Sequence, residues 1–232
     1  MKKVGGIAIN LFDFQEKAVL KLIDLVADSN SKQTITVKSP TGSGKTIILI
    51  DFVEEYLTKI NSNAAFIWLC PGKGDLEEQS RKKMRKFAPH RHTQNLFDAL
   101  QGGFLAESTT FINWELVTKK DNTSLRDGEK KNLFDRIAEA HRNNTEFIVI
   151  IDEEHSNNTA KAKTIIDAFS AKNIIRVTRN KYIIKMHGDL HDIATIVLKE
   201  QDYLNYSQDR VLIELFIKSL LTDHFELKPL FF

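Results

Sequence analysis

Strand-like apolar runs alternating with segments of helical spacing predict an α/β fold with a doubly wound, mostly parallel sheet. Three observations carry that expectation. Phe147–Ile151 is a continuous apolar run, as expected of a strand buried on both faces. Gly42–Lys45 is a glycine-rich turn between a β-branched run and a helical pattern. The alternation itself runs from Phe12 to Val177 and changes character afterwards, which predicts a small C-terminal α/β appendage.

In order along the chain, Ala18, Val19, Leu22, Ile23 and Val26 fall at helical spacing and predict a helix over Phe12–Ala27. Thr34–Lys38 is short and β-branched, a strand. Thr46–Leu57 returns to the helical period, and Ala64–Cys70 reads as a buried strand. Leu76–Phe87 is a charged surface helix, Thr109–Asn113 a strand, and the polar stretch Lys119–Gly128 a loop. Lys130–Arg142 is an amphipathic helix, Ala160–Phe169 a helix and Asn173–Val177 a strand. Beyond them, Tyr182–Met186 and Thr195–Leu198 look strand-like and Arg210–Leu221 helical. No internal repeat or low-complexity segment breaks the pattern.

The chain has 232 residues, enough for one domain with a sizeable core or one domain plus a smaller module. With 42% hydrophobic and 28% charged residues it is an ordinary soluble mixture. A net charge of +2 supplies no large field, so any contact with nucleic acid needs a local patch. Cys70 is the single cysteine; an intrachain disulfide is excluded and a cytoplasmic location is expected. Met1–Asn10 lacks the apolar run of a signal peptide. No stretch reaches the roughly 18 apolar residues of a membrane span, so no membrane partner is expected.

The motif with the most specific chemistry is Ser39-Pro40-Thr41-Gly42-Ser43-Gly44-Lys45-Thr46, set between a strand and a helix. Glycines let successive backbone N–H groups turn toward one anion, and the helix N-terminus adds partial positive charge. The loop Thr41–Thr46 is therefore a candidate ATP cradle, with Lys45 reaching the β- and γ-phosphates and Thr46 holding Mg²⁺ through its hydroxyl. Downstream, Asp152-Glu153-Glu154-His155 follows the apolar run Phe147–Ile151. A carboxylate at the C-terminal end of a central strand sits near the phosphate loop in such sheets. Asp152 is the expected Mg²⁺-side carboxylate and Glu153 the expected base toward the attacking water. A solvated acidic strand end is the plainer alternative.

These two motifs resemble the Walker A and Walker B elements of superfamily 2 helicases of the DEAD/DEAH kind. Phe12-Asp13-Phe14-Gln15 looks like the upstream glutamine motif, which implies that Gln15 reads the adenine edge. Trp68–Gln79 looks like motif Ia, which holds the DNA backbone, and Thr110–Glu115 like the next DNA-side motif. Together they are most similar to the helicase subunit of type III restriction enzymes, over roughly Leu11 to Val177. The resemblance implies a RecA-like ATP-binding lobe over residues 1–177, with DNA as partner through low-specificity backbone contacts. Trp68 and Trp114 suit core positions as well as base stacking, and Arg81, Lys82, Lys83 and Arg85 suit a solvated helix face as well as a DNA patch.

The family's Ser-Ala-Thr motif is replaced: Ile174-Ile175-Arg176-Val177 arrives, then Thr178-Arg179-Asn180 follows. No second lobe or arginine finger is legible, so a partner chain supplying that lobe, or a methyltransferase-type subunit, is expected. Residues 178–232 resemble part of a sirtuin-like domain, with His187-Gly188 at the place of its catalytic histidine, but the glycine-rich NAD loop is absent. The ending Leu227–Phe232 suggests a truncated or fused product. The leading expectation is an ATP-binding, DNA-acting P-loop NTPase represented by its first motor lobe. The alternatives are a nucleotide-binding module without turnover and an NAD-dependent defence effector, which would need that missing loop.

Overall fold

The computed structural model describes residues 11–27, 32–39, 42–72, 75–118, 132–152 and 160–178, and the backbone of a strand at Ile193–Val197. The elements run α1 (Asp13–Ala27), β1 (Gln33–Lys38), α2 (Lys45–Lys59), β2 (Ala64–Cys70), α3 (Leu76–Phe87) and β3 (His92–Asn95). Then follow α4 (Leu96–Gly102), β4 (Ser108–Asn113), α5 (Trp114–Thr118), α6 (Leu133–Arg142), β5 (Glu146–Asp152), α7 (Ala160–Ala168), β6 (Asn173–Thr178) and β7 (Ile193–Val197). Seven strands form one sheet in the order β3-β4-β2-β5-β6-β1-β7, and the pairs are parallel.

Alternation along each strand divides the core between the two faces. Ala64, Phe66, Trp68 and Cys70 of β2 join Ile148, Ile150, Ile175 and Val177 in a cluster covered by α1, α2 and α3. Ala65, Ile67 and Leu69 point the other way and meet Phe147, Val149 and Ile151 under α4, α5, α6 and α7. Helices on both faces make the sheet doubly wound, as the sequence predicts. Trp68 stacks on Phe111 at 5.2 Å on the first face. On the second, the ring of Phe104 meets those of Phe147 and Phe169, each at 5.5 Å.

Three elements escape sequence reading: β3, α4 and α5. Strand β3 is His-Thr-Gln-Asn, without an apolar residue. It is held by Gln94, which is buried and donates to the carbonyl of Gly103 at 3.1 Å while accepting from Ser108 Oγ at 3.2 Å. Helix α4 starts with a reciprocal cap between Asn95 and Asp98.

The region after residue 177, read as an appendage, also enters the main sheet. Thr178 closes β6 beside Lys38, and β7 pairs with β1 from Thr34↔Ile193 to Lys38↔Val197. The β-branched run Ile193–Val197 covers what would otherwise be an open edge along β1. The strand expected at Tyr182–Met186, the helix at Arg210–Leu221 and the loop Lys119–Gly128 lie outside the described residues.

Candidate functional site

The phosphate-loop residues lie where β1 ends and α2 begins. Gly42 and Gly44 take φ of 84° and 81°, left-handed backbone that glycine adopts without strain. Gly44 is the N-cap of α2, and its carbonyl accepts from Ile47 and Ile48 N–H at 2.8 and 3.0 Å. The N–H groups of Lys45 and Thr46, in the first turn, have no acceptor within the helix itself. Ser39 and Ser43 are both buried and hydrogen-bond through their hydroxyls, closing the neck of the loop. Lys45 Nζ donates to the carbonyl of Ser39 at 3.1 Å, so its ammonium is folded over the loop. Thr41 lies outside the described residues.

Gln15 is brought to this loop from α1. Its Nε2 donates to the carbonyl of Ser43 at 3.0 Å, and its Oε1 accepts from the backbone of Phe12 at 3.1 Å. A β-carbon on Gly44 would overlap Nε2 of Gln15. The glycine is thus required twice, for its backbone and for the glutamine. Phe12, unassigned in the sequence reading, stacks on Phe14 at 5.9 Å and remains 45% exposed, so a ring face beside Gln15 is open to a ligand. An aromatic three residues before the glutamine was the available signal.

Asp152 ends β5, and β6 alone separates that strand from β1. The carbonyl of Thr178, at the end of β6, accepts from Ser39 N–H at 3.3 Å, so the altered motif abuts the start of the phosphate loop. Glu153 and His155 lie outside the described residues, as do Arg179, Asn180 and His187. Cys70 at the end of β2 is buried, and burial together with the Asp152 and Glu77 carboxylates pushes its thiol well up. It is a packed thiol, not a nucleophile.

The two motifs read as DNA-side lie at the neighbouring ends of β2 and β4. Trp68 and Trp114 are both core residues, which settles them as packing. A β-carbon on Gly72 would overlap Cγ and Cδ of Glu115 from α5. The Asn113 backbone N–H donates to the Glu77 carboxylate, whose pKa is nonetheless raised because burial outweighs that bond and Arg81. On α3, Arg81 pairs with Glu78 at 2.7 Å and Asp98 at 3.7 Å, whereas Lys82 is 72% exposed.

Helix α2 carries acids on a buried face. Glu54 is gripped by Arg91 at 2.8 and 2.9 Å and by His90 at 3.0 and 3.1 Å. Burial pushes Glu54 up, but these partners outweigh it and hold the carboxyl below its ordinary value. Burial, then Glu55 and Glu54, push Asp51 up to about 6.

A glycine-bent loop between a central parallel strand and a helix, with a carboxylate two strands away at the same sheet edge, defines a RecA-like lobe of a helicase-type motor. Residues 8–179 match the family described as Type III restriction enzyme, res subunit, and the chain belongs to that family. Among solved structures it is similar to the Sulfolobus solfataricus SWI2/SNF2 ATPase core in complex with dsDNA, with TM-score 0.54, 16% identity, and coverage of 78% of this chain and 34% of that one. It is also similar to a nuclease-deletion mutant of the Type ISP restriction-modification enzyme LlaGI in complex with a DNA substrate mimic. There the TM-score is 0.56 and the identity 13%, over 95% of this chain and 23% of that one. These likenesses show the fold. A 56-residue stretch is 36% identical to Defense-associated sirtuin 2 of Bacillus subtilis, covering 23% of this chain and 6% of that protein. The chain thus spans about a third or less of each of these relatives. No helix among the described residues is long and apolar enough to cross a membrane.

Proposed function

We propose that this lobe binds Mg-ATP at Thr41–Thr46 and that its turnover drives action on DNA. The supporting observation is the pre-bent loop, with Lys45 folded over the Ser39 carbonyl and Gln15 seated on the Ser43 carbonyl. The donor set fits a nucleoside triphosphate: two left-handed glycines, a helix N-terminus and one mobile ammonium. Lys45 leaves the Ser39 carbonyl for the β- and γ-phosphates. Gln15 presents its remaining hydrogen-bonding capacity to the adenine edge, and Phe12 offers its exposed ring to the base. Thr46 and Asp152 would hold Mg²⁺, which when bound neutralises charge on the phosphate oxygens. The Glu153 carboxylate accepts the proton of the attacking water. The DNA backbone runs over the loops that follow β2 and β4. The cytoplasm is the compartment we assign.

A second reading is nucleotide binding without turnover by this polypeptide alone. It is favoured by the single sheet that the described residues form: charge-stabilising groups from across a cleft are not among them. Such a group, an arginine in related phosphoryl transfers, is worth about 10³–10⁵ in rate. A partner lobe or a methyltransferase-type subunit would complete the site. Calorimetry with Mg-ATP on wild type and Lys45→Ala tests the binding claim, since equal affinity in both would sink it. Turnover with and without DNA separates the readings: robust DNA-stimulated hydrolysis, abolished by Glu153→Gln, selects the first.

A further inference from the structure

Two carboxylates cross between the loops at the ends of β2 and β4, and the chemistry proposed above uses neither. Glu77, in the first turn of α3, reaches across to β4, where its carboxylate accepts from the backbone N–H of Asn113. Glu115, in the first turn of α5, reaches back to β2, where its side chain fills the space over Gly72 that a β-carbon would take. The exchange is reciprocal. Each loop lends the other one acidic side chain, and β2 and β4 are paired directly beneath, Cys70 opposite Asn113. Asp75, the residue before α3, is held at φ 52° and offers no side-chain cap, so the α3 end of this loop is not fixed by its own helix.

We infer that Glu77 and Glu115 form a reciprocal lock that holds the two loops as one rigid platform for the nucleic-acid backbone. The inference rests on the reading that DNA passes over these loops. Both residues are positioning residues. They carry the wrong charge to bind phosphate, and they act by fixing backbone that does. Preorganisation of this kind matters because a displacement of about 1 Å can cost on the order of a hundredfold where contacts must be made together.

The test uses the full chain, a fluorescein-labelled DNA duplex and anisotropy at several salt concentrations. Glu115→Ala should weaken binding about tenfold, about 1.4 kcal/mol, without changing the slope of log Kd against log salt, because no phosphate contact is removed. Glu115→Gln, which keeps the side chain's length and an acceptor, should bind as wild type or tighter. Glu77→Ala and Glu77→Gln should divide in the same way. Gly72→Ala should resemble Glu115→Ala, because its methyl evicts the glutamate. The double variant Gly72→Ala/Glu115→Ala should bind no worse than Glu115→Ala alone, since the methyl then has room. That comparison stands even if one single variant folds poorly. Unchanged or tighter binding by Glu115→Ala would overturn the lock, showing the glutamate to be only a repulsive charge. Multiplicative losses in the double variant would overturn it too. Wild-type protein that binds no duplex at low salt would instead remove the DNA reading, and the lock with it.

Discussion

Asp51 gives the most quantitative handle on the phosphate-loop helix. It lies on the buried face of α2, only 7% exposed, and its pKa is pushed from 3.8 up to about 6. Burial is the largest cause, the Glu55 and Glu54 carboxylates follow, and Lys59 opposes them. In the unfolded chain the group releases its proton near pH 4; in the fold it keeps it to about pH 6. Stability therefore falls as pH rises through that window, and the deficit is complete above it. A shift of about two units corresponds to about 3 kcal/mol at 1.36 kcal/mol per unit. Salt screening of the Glu54 and Glu55 contributions reduces the expected figure to about 1–2 kcal/mol. Asp51→Asn removes the charge at constant shape, so it should raise the melting temperature at about pH 7.5 by roughly 3–6 °C for a domain of this size. The gain should shrink by about half near pH 5 and vanish near pH 4. Differential scanning fluorimetry across that range is the assay. A gain independent of pH, or a loss at pH above about 7, would refute the assignment of an ionised, penalised carboxylate.

Gly44→Ala should abolish nucleotide binding in calorimetry with the far-UV spectrum unchanged, because the position needs φ of 81° and the methyl collides with Gln15. Arg91→Ala leaves Glu54, 1% exposed, with only His90 against its charge; chemical denaturation should show a loss of about 3 kcal/mol. Since Glu54 titrates below its ordinary value, that clamp stabilises at neutral pH and is lost as pH falls through the depressed value. Ending the chain after Thr178 uncovers β1 along Thr34–Lys38 and should lower the melting temperature and promote association, whereas ending it after Val197 should not.

Much of this fold is legible in the sequence because its central strands are buried on both faces. Ala64–Cys70 and Phe147–Ile151 announce themselves as unbroken apolar runs, and the first is observed with those ends. The phosphate loop is legible for a different reason: the backbone it needs restricts residue choice to glycine at two fixed places. Strand β3 is illegible because its stabilising group is one buried amide, Gln94, with several polar partners, and hydrophobic periodicity cannot register that. The separation at residue 177 fails as a boundary of the sheet because pairing with β1 is long-range. Nothing local in Ile193–Val197 distinguishes a strand of an appendage from the next strand of the same sheet.

The residues that matter to the proposed chemistry share one sheet edge, and their order along it has a physical consequence. Thr178 of β6 contacts Ser39 at the start of the phosphate loop through a backbone hydrogen bond of 3.3 Å. Next along the edge, Asp152 ends β5 close enough to raise the pKa of Cys70 at the end of β2. Glu77 also acts on that thiol and accepts from Asn113 at the end of β4. The nucleotide loop and the platform are therefore contiguous across adjacent strand ends, and coupling between them needs no route through the core. The Cys70 thiol, neutral and buried between two acids, separates Asp152 from Glu77 at that junction. A change in charge at Asp152 on binding a cation would be felt first by Glu77, the residue that holds the platform to β4. The lock is thus placed where nucleotide state can reach it by electrostatics over one strand spacing, about 5 Å between paired strands.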